Sequence, residues 1–264
     1  MNQTQVNGSE RVGRPGAALV TGSGVRLGRE IALALAKAGY DIALHYNSSD
    51  GPAKQTRQEI LALGVDCQLF AQDLSRGEDL AGFVAQVKVA MPHLNVLVNS
   101  ASAYASGTIA QSSVDLFDTQ FNVNIRAPFF LSQGFAQVCD AGSIINICDN
   151  KIGFNQFEYA AYLLAKKALV ELTRMAALEF APRIRVNGVA PGVVLPAQSR
   201  SQEYIDWRIQ GIPLRMQGSP DHITQAVLSL LHNPFITGQI LTVDGGESIT
   251  NVGQNAAQFD PAKV

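Results

Sequence analysis

Tyr162 and Lys166 stand four residues apart in the segment Tyr-Leu-Leu-Ala-Lys, inside a pattern that predicts a long helix over 159–180. On a helix, residues i and i+4 share a face, so phenol and ammonium lie side by side, while Lys167 points about 100° away. A free phenol has a pKa of about 10. A close cation favours the phenolate and makes the phenol a better proton donor near neutrality. A second stretch with chemical content is Thr-Gly-Ser-Gly-Val-Arg-Leu-Gly at 21–28. It follows a short apolar run at 17–20 and opens a helical pattern at 27–38. In that setting backbone N–H groups at a helix start meet a dinucleotide pyrophosphate, and glycines permit the close approach. Gly22 and Gly28 hold the outer positions, and Arg26 stands two residues before the last glycine.

The rest of the chain supplies elements able to position these groups. Further strands are predicted at 41–46, 66–71, 95–98, 143–147, 183–189 and 240–243, and helices at 53–63, 79–90, 115–137 and 159–180. Gly39 and Gly64 close two of the helical patterns, as glycine does at helix ends. Strand and helix alternate, which implies one α/β domain: a Rossmann-type doubly wound parallel sheet of about seven strands with helices on both faces. The domain is placed at 17–250, between a disordered polar tail at 1–16 and a C-terminal extension at 251–264.

In this architecture an acidic residue at the end of the second strand selects a ribose 2′-hydroxyl. Here the strand ends in His45, Tyr46, Asn47, Ser48 and Ser49, neutral donors better suited to a 2′-phosphate, so NADPH is the expected cofactor. Asp50 counts against this, Arg26, Lys54 and Arg57 are the nearby cations, and Asn-Ser-Ser is also ordinary turn chemistry. Asp73-Leu74 follows the third strand; the carboxylate can accept from an adenine amino group or cap the next helix. Asn99, Ala101 and Ser102 close the fourth strand and line the same crevice.

Taken together these motifs resemble the short-chain dehydrogenase/reductase family over 17–250: Thr-Gly at 21–22 with Gly28, Asn-Ser-Ala-Ser at 99–102, Asn124 in Asn-Val-Asn, Tyr162 with Lys166, and Pro191-Gly192. The resemblance implies Tyr162 as proton donor, Lys166 as a ligand of the nicotinamide ribose, and Asn124 as anchor of a proton-relay water. It also implies Pro191, Gly192 and Val194 near the carboxamide, and a substrate lid at 193–214 where Tyr204, Trp207 and Arg208 could face substrate. The family's usual serine thirteen residues before the tyrosine is replaced by Asp149. Asp149 either delivers or shares a proton with Tyr162, the pair titrating as one unit, or merely bonds a loop. Asp149 with Arg26 resembles the pteridine reductase branch, including the dihydromonapterin reductases. That branch implies Tyr104 stacking on a pterin, unless it is an ordinary core aromatic. It also implies Arg26, Ser102, Asp149 and Tyr162 as substrate contacts. The expected reaction is NADPH-dependent reduction of a dihydropterin or dihydrofolate. A general carbonyl reductase and a non-catalytic NADP-binding regulator are the alternatives.

Composition narrows the field. A net charge of −2 and 16% charged residues argue against a nucleic-acid binder. The three cysteines are far apart and odd in number, as expected for reduced thiols in a cytoplasmic protein. The four histidines lack metal-ligand spacing, and no apolar stretch approaches a membrane span. The resemblance further implies a homotetramer built on the helices at 115–137 and 159–180 and the last strand.

Overall fold

The computed structural model describes residues 15–76, 79–196, 200–250 and 260. The polar tail, up to residue 14, and the C-terminal extension apart from Asp260 lie outside the described residues. The strands are β1 (Ala17–Val20), β2 (Asp41–Tyr46), β3 (Cys67–Ala71), β4 (Leu94–Asn99), β5 (Gly142–Ile147), β6 (Ile184–Pro191) and β7 (Ile240–Val243). They form one sheet in the order β3-β2-β1-β4-β5-β6-β7, with every neighbouring pair parallel. The order reverses between β1 and β4, where doubly wound sheets open a crevice at the carboxyl ends of the strands.

The helices are α1 (Arg26–Lys37), α2 (Asp50–Ala62), α3 (Leu80–Ala90), α4 (Val114–Phe121), α5 (Ala127–Val138), α6 (Ala160–Phe180), α7 (Gln202–Gln210) and α8 (Pro220–His232). Successive strand residues point to opposite faces, so each strand feeds two cores. Ala18 and Val20 pack with Ile31 and Leu35 of α1, Ile60 of α2 and Val227 of α8. Ala17 and Leu19 pack with Phe83 of α3, Leu131 and Phe135 of α5 and Ala177 of α6. Burial on both faces explains the continuous apolar runs of the strands.

Two features depart from the sequence expectation. The helix expected over 115–137 is interrupted between α4 and α5 by a π-helical turn, Asn122–Arg126. The Asn124 amide donates to the Gln120 carbonyl at 2.9 Å, the acceptor that its own backbone N–H would use in an α-helix. Beyond β6, α7 and α8 add helices that the periodicity did not single out. Among the described residues no helix is long and apolar enough to cross a membrane.

α3 and α5 approach closely at Gly134, where an added Cβ would lie 2.7 Å from the Ala81 Cα. Helix propensity favours alanine there by about 1 kcal/mol, but backbone overlap costs about 1–3 kcal/mol. Gly134→Ala is therefore expected to lower the unfolding free energy, read as a fall in urea midpoint; a rise would show that the two helices separate freely.

Candidate active site

The C-terminal end of β1 is held from three sides. The Thr21 hydroxyl donates to the Val98 carbonyl and accepts from the N–H groups of Ser100 and Ala101, at 2.9 and 3.0 Å. Ser23 N–H donates to the His45 carbonyl at 2.9 Å. The Thr56 hydroxyl of α2 reaches the Gly24 carbonyl at 3.3 Å. Glycine is required where the turn is tightest. Gly22 has φ +67°, and a Cβ there would lie 2.9 Å from the Ala101 Cα. A Cβ on Gly28 would lie 2.3 Å from the Gly22 carbonyl oxygen. α1 then starts without a capping side chain and without an acidic residue in its first turn. α3, α4 and α7, by contrast, are capped by Asp79, Ser113 and Ser201. An uncapped helix start with half-buried Leu27 beside exposed Arg26 is an anion-binding arrangement, and it fits a dinucleotide pyrophosphate.

Arg26 adopts φ +53°, the left-handed conformation a glycine would take. For other residues this costs about 1–2 kcal/mol. Its guanidinium donates to the Leu195 carbonyl, so the side chain spans from the glycine loop to the segment after β6.

At the other end of the crevice, β5 leads through Cys148 to Asp149, and α6 brings Tyr162 and Lys166. The Tyr162 hydroxyl donates to Asp149 Oδ2 at 2.7 Å, and Asp149 Oδ1 accepts from Lys151 N–H at 2.8 Å. Lys166 is buried; its ammonium donates to the Ile147 carbonyl at 2.8 Å and lies 5.8 Å from the Tyr162 ring centre. The expected fall in the phenol pKa does not occur. Burial first and the Asp149 carboxylate second hold the Tyr162 phenol well above its ordinary value, and burial pushes the Lys166 ammonium down. Desolvation outweighs the neighbouring cation, and the dyad keeps its shared proton.

Asn124 is fully buried beside this dyad. Its amide donates to Ala103 O at 2.9 Å, and its carbonyl accepts from the Ser102 hydroxyl at 2.8 Å. Tyr104 is 53% exposed, stacks on Tyr159 with centres 4.6 Å apart, and meets Tyr162 edge-on at 4.8 Å. It is a rim aromatic with an accessible surface, not a core residue. The Asn99 amide donates to Asn146 Oδ1 at 2.8 Å, tying β4 to β5 beneath the site.

The end of β2 behaves differently from the expectation at one residue. Asn47 and Ser48 are exposed, and Ser49 stands at the start of α2 near Gly24. The Tyr46 hydroxyl donates to Asp50 at 3.0 Å and Lys54 pairs with Asp50 at 2.6 Å, so this carboxylate is engaged within the protein. His45, expected to face a phosphate, is instead buried. Its Nδ1 accepts from Gly22 N–H at 3.0 Å and its Nε2 bonds the Gln72 carbonyl at 2.9 Å. Alternation along β2 puts it on the same covered face as Ala43, edge-on to Phe83 of α3, and burial pushes it down to about 4. His45 therefore shapes the glycine loop rather than touching a ligand.

Asp73 accepts from Ser75 N–H and hydroxyl at 2.8 and 2.7 Å, forming a local turn; Asp79 caps α3, and Leu74 is buried. Pro191 ends β6. Gly192 N–H donates to the Val243 carbonyl, and a Cβ there would lie 2.7 Å from the Asp244 Cβ. Val194 is buried and lines, with Ile212, Leu214 and Asp244, a cavity of about 300 Å³. Arg208 does not face the crevice: it is buried and paired with Glu247 at 2.5 Å. Glu247, Asn150 and Tyr159 escaped the sequence reading, and none has a diagnostic spacing or lies in a recognisable motif.

These elements follow a known arrangement. The family model described as enoyl-(acyl carrier protein) reductase matches residues 23–248. An uncharacterised oxidoreductase of Mycobacterium tuberculosis is 33% identical over 89% of this chain and 93% of its own. The chain belongs to the short-chain dehydrogenase/reductase family. The 3-oxoacyl-[acyl-carrier-protein] reductase of Staphylococcus epidermidis is 30% identical over 87% of this chain and 98% of its own. Among solved structures, FolM alternative dihydrofolate reductase 1 of Brucella suis in complex with NADP superposes with a TM-score of 0.85 at 29% identity, covering 89% of this chain and 96% of that one. The Brucella canis protein, also complexed with NADP, gives 0.85 at 28% identity, covering 93% and 98%.

His45 makes a pH-dependent contribution. In the unfolded chain it titrates near 6.5, in the fold near 4. Its stability contribution is complete above the first value and is lost as pH falls toward the second, by about 3 kcal/mol in all. His45→Asn removes this titration. The loss of stability between pH 7 and 4.5, from urea unfolding, is expected to shrink by about 2–3 kcal/mol relative to wild type; an unchanged loss would show that His45 titrates normally.

Proposed function

We propose that this protein is an NADPH-dependent reductase of dihydropterins, with dihydrobiopterin, dihydromonapterin and dihydrofolate as the substrate class. The observation that carries the reading is the 2.7 Å bond between the Tyr162 phenol and the Asp149 carboxylate. A ketone needs polarisation of its oxygen, which a serine hydroxyl supplies. A ring C=N needs a proton on nitrogen as carbon is reduced, and an acid dyad supplies that. The likeness to two dihydrofolate reductases complexed with NADP supports both substrate class and cofactor.

The loop from Gly22 to Leu27, exposed Asn47 and Ser48, and Ser49 would hold the adenosine phosphates of NADPH; Asp73, Leu74, Asn99 and Ala101 would line the path of the adenosine half. Lys166, Pro191, Gly192 and Val194 would border the nicotinamide half. When bound, NADPH supplies the hydride. Tyr162 gives its proton to the ring nitrogen, and the half-buried Asp149 carboxylate, open to solvent on one side, takes up a proton from water and passes it to the phenol oxygen. Lys166 offsets the charge that develops on the phenol oxygen. Tyr104 and Ser102 form the rim against which a flat heterocycle stacks. The Asn124 shell holds the water path.

The relatives that are 3-oxoacyl reductases favour a second reading, reduction of a ketone. NADPH oxidation with dihydropterins, set against a panel of ketones and 3-oxoacyl thioesters, separates the two. Turnover of the ketones or thioesters without a pterin would remove the pterin reading. Tyr162→Phe is expected to lower kcat for the dihydropterin by about 10²–10⁴-fold. Arg26→Gly keeps the loop, because glycine suits φ +53°. It removes the bridge to Leu195, so the pterin KM is expected to rise about tenfold and NADPH affinity to fall by less. Equal losses of both would assign Arg26 to phosphate alone.

We also propose a homotetramer. Val114 and Phe117 of α4, Phe129 of α5, and Leu164, Met175 and Leu178 of α6 are exposed apolar residues on the helices named for the interface. Light scattering behind size exclusion should report four chains; a monomer would overturn this.

A further inference from the structure

The lid contains an ion pair that the chemistry above does not use. Arg208, in the last turn of α7, places Nη2 2.5 Å from Glu247 Oε1, with residue exposures of 5% and 1%. Glu247 opens the short turn after β7. Its other oxygen, Oε2, accepts from Asn150 Nδ2 at 2.9 Å, and the same amide reaches Asp244 Oδ2 at 3.3 Å. Asn150 directly follows Asp149, the carboxyl that meets Tyr162. One buried carboxylate thus joins the lid helix, the turn after β7 and the peptide that carries the dyad acid.

Such a pair is a poor source of stability, since apolar groups of the same volume would serve as well or better. Its value lies in specificity. Apolar contacts, such as those of buried Ile205, let a helix slide, whereas two opposite charges buried together cannot part without one being left unpaired. Glu247 Oε2 is held by the Asn150 amide, while Oε1 meets Arg208 as a close ion pair without hydrogen-bond geometry, so α7 cannot shift without leaving a buried charge unpaired.

We propose that Glu247 is a positioning residue, which latches α7 to the turn beginning at Asp149 and so closes the lid in the register that keeps Asp149 aimed at Tyr162. The inference rests on the dyad's part in the proposed function but not on the identity of the substrate.

Glu247→Gln tests it. The amide has nearly the same shape but one acceptor, and it sets a donor against either Arg208 or Asn150. Trp207, the single tryptophan of the chain, neighbours Arg208 and reports lid position without turnover. In the full-length variant, amide exchange across α7 is expected to accelerate about tenfold or more, with α6 and β5 unchanged. Acrylamide quenching of Trp207 is expected to rise about twofold as the helix spends more time undocked. With a dihydropterin, KM should rise about tenfold and kcat fall less. The exchange and quenching readouts stand whether or not pterins are substrates, so a failed pterin assay is distinguishable from a failed latch. Arg208→Lys, which keeps the charge and loses the fork, should shift the same readouts in the same direction by less, and serves if the first variant does not fold. The proposal is overturned if both readouts stay at wild type in either folded variant, or if α6 and β5 accelerate in step with α7. It is also overturned if α7 of the wild-type protein exchanges as fast as unprotected chain.

Discussion

Everything at the site depends on seven strands running the same way. In a parallel sheet every strand delivers its carboxyl end to one edge, and every strand-to-helix connection begins there. Thr21 after β1, His45 near the end of β2, Asn99 at the end of β4, Asp149 after β5 and Gly192 after β6 are far apart in the chain. The register brings them to one crevice. The two apolar cores, one on each face, hold the sheet that makes this possible.

Within the crevice, burial decides the electrostatics. Lys166 is near enough to Tyr162 to favour a phenolate, but the low-dielectric surroundings and the Asp149 carboxylate act more strongly the other way. The result is a phenol that keeps its proton beside a carboxylate that accepts a hydrogen bond from it. Lys166 spends one of its donors on the Ile147 carbonyl, which also fixes α6 against the end of β5. The ammonium is thus both a charge and a structural tie.

Arg26 and His45 show how identity and role separate. Arg26 adopts a backbone conformation that glycine favours, and the strain is offset by what its side chain reaches: the Leu195 carbonyl beyond β6. His45 sits in a segment of neutral donors but contributes from beneath, holding Gly22 through a ring nitrogen that must remain unprotonated. Two residues of the nucleotide end therefore work through protein contacts rather than through the ligand alone.

By itself the sequence determined the alternation of strands and helices, both ends of three strands to the residue, the glycine loop, the pairing of Tyr162 with Lys166 and the place of Asp149. These are local patterns with a period, a spacing or a turn requirement, and they need no knowledge of the partner. Only the tertiary structure decided the inward turn of His45, the π-helical turn that carries Asn124, the high pKa of Tyr162 and the pairing of Arg208 with Glu247 through to Asn150. Each depends on what a side chain meets across dozens of residues, and on how much water is left when it does. Desolvation and long-range hydrogen bonding leave no periodic mark in a sequence, so they become visible only when the chain is folded.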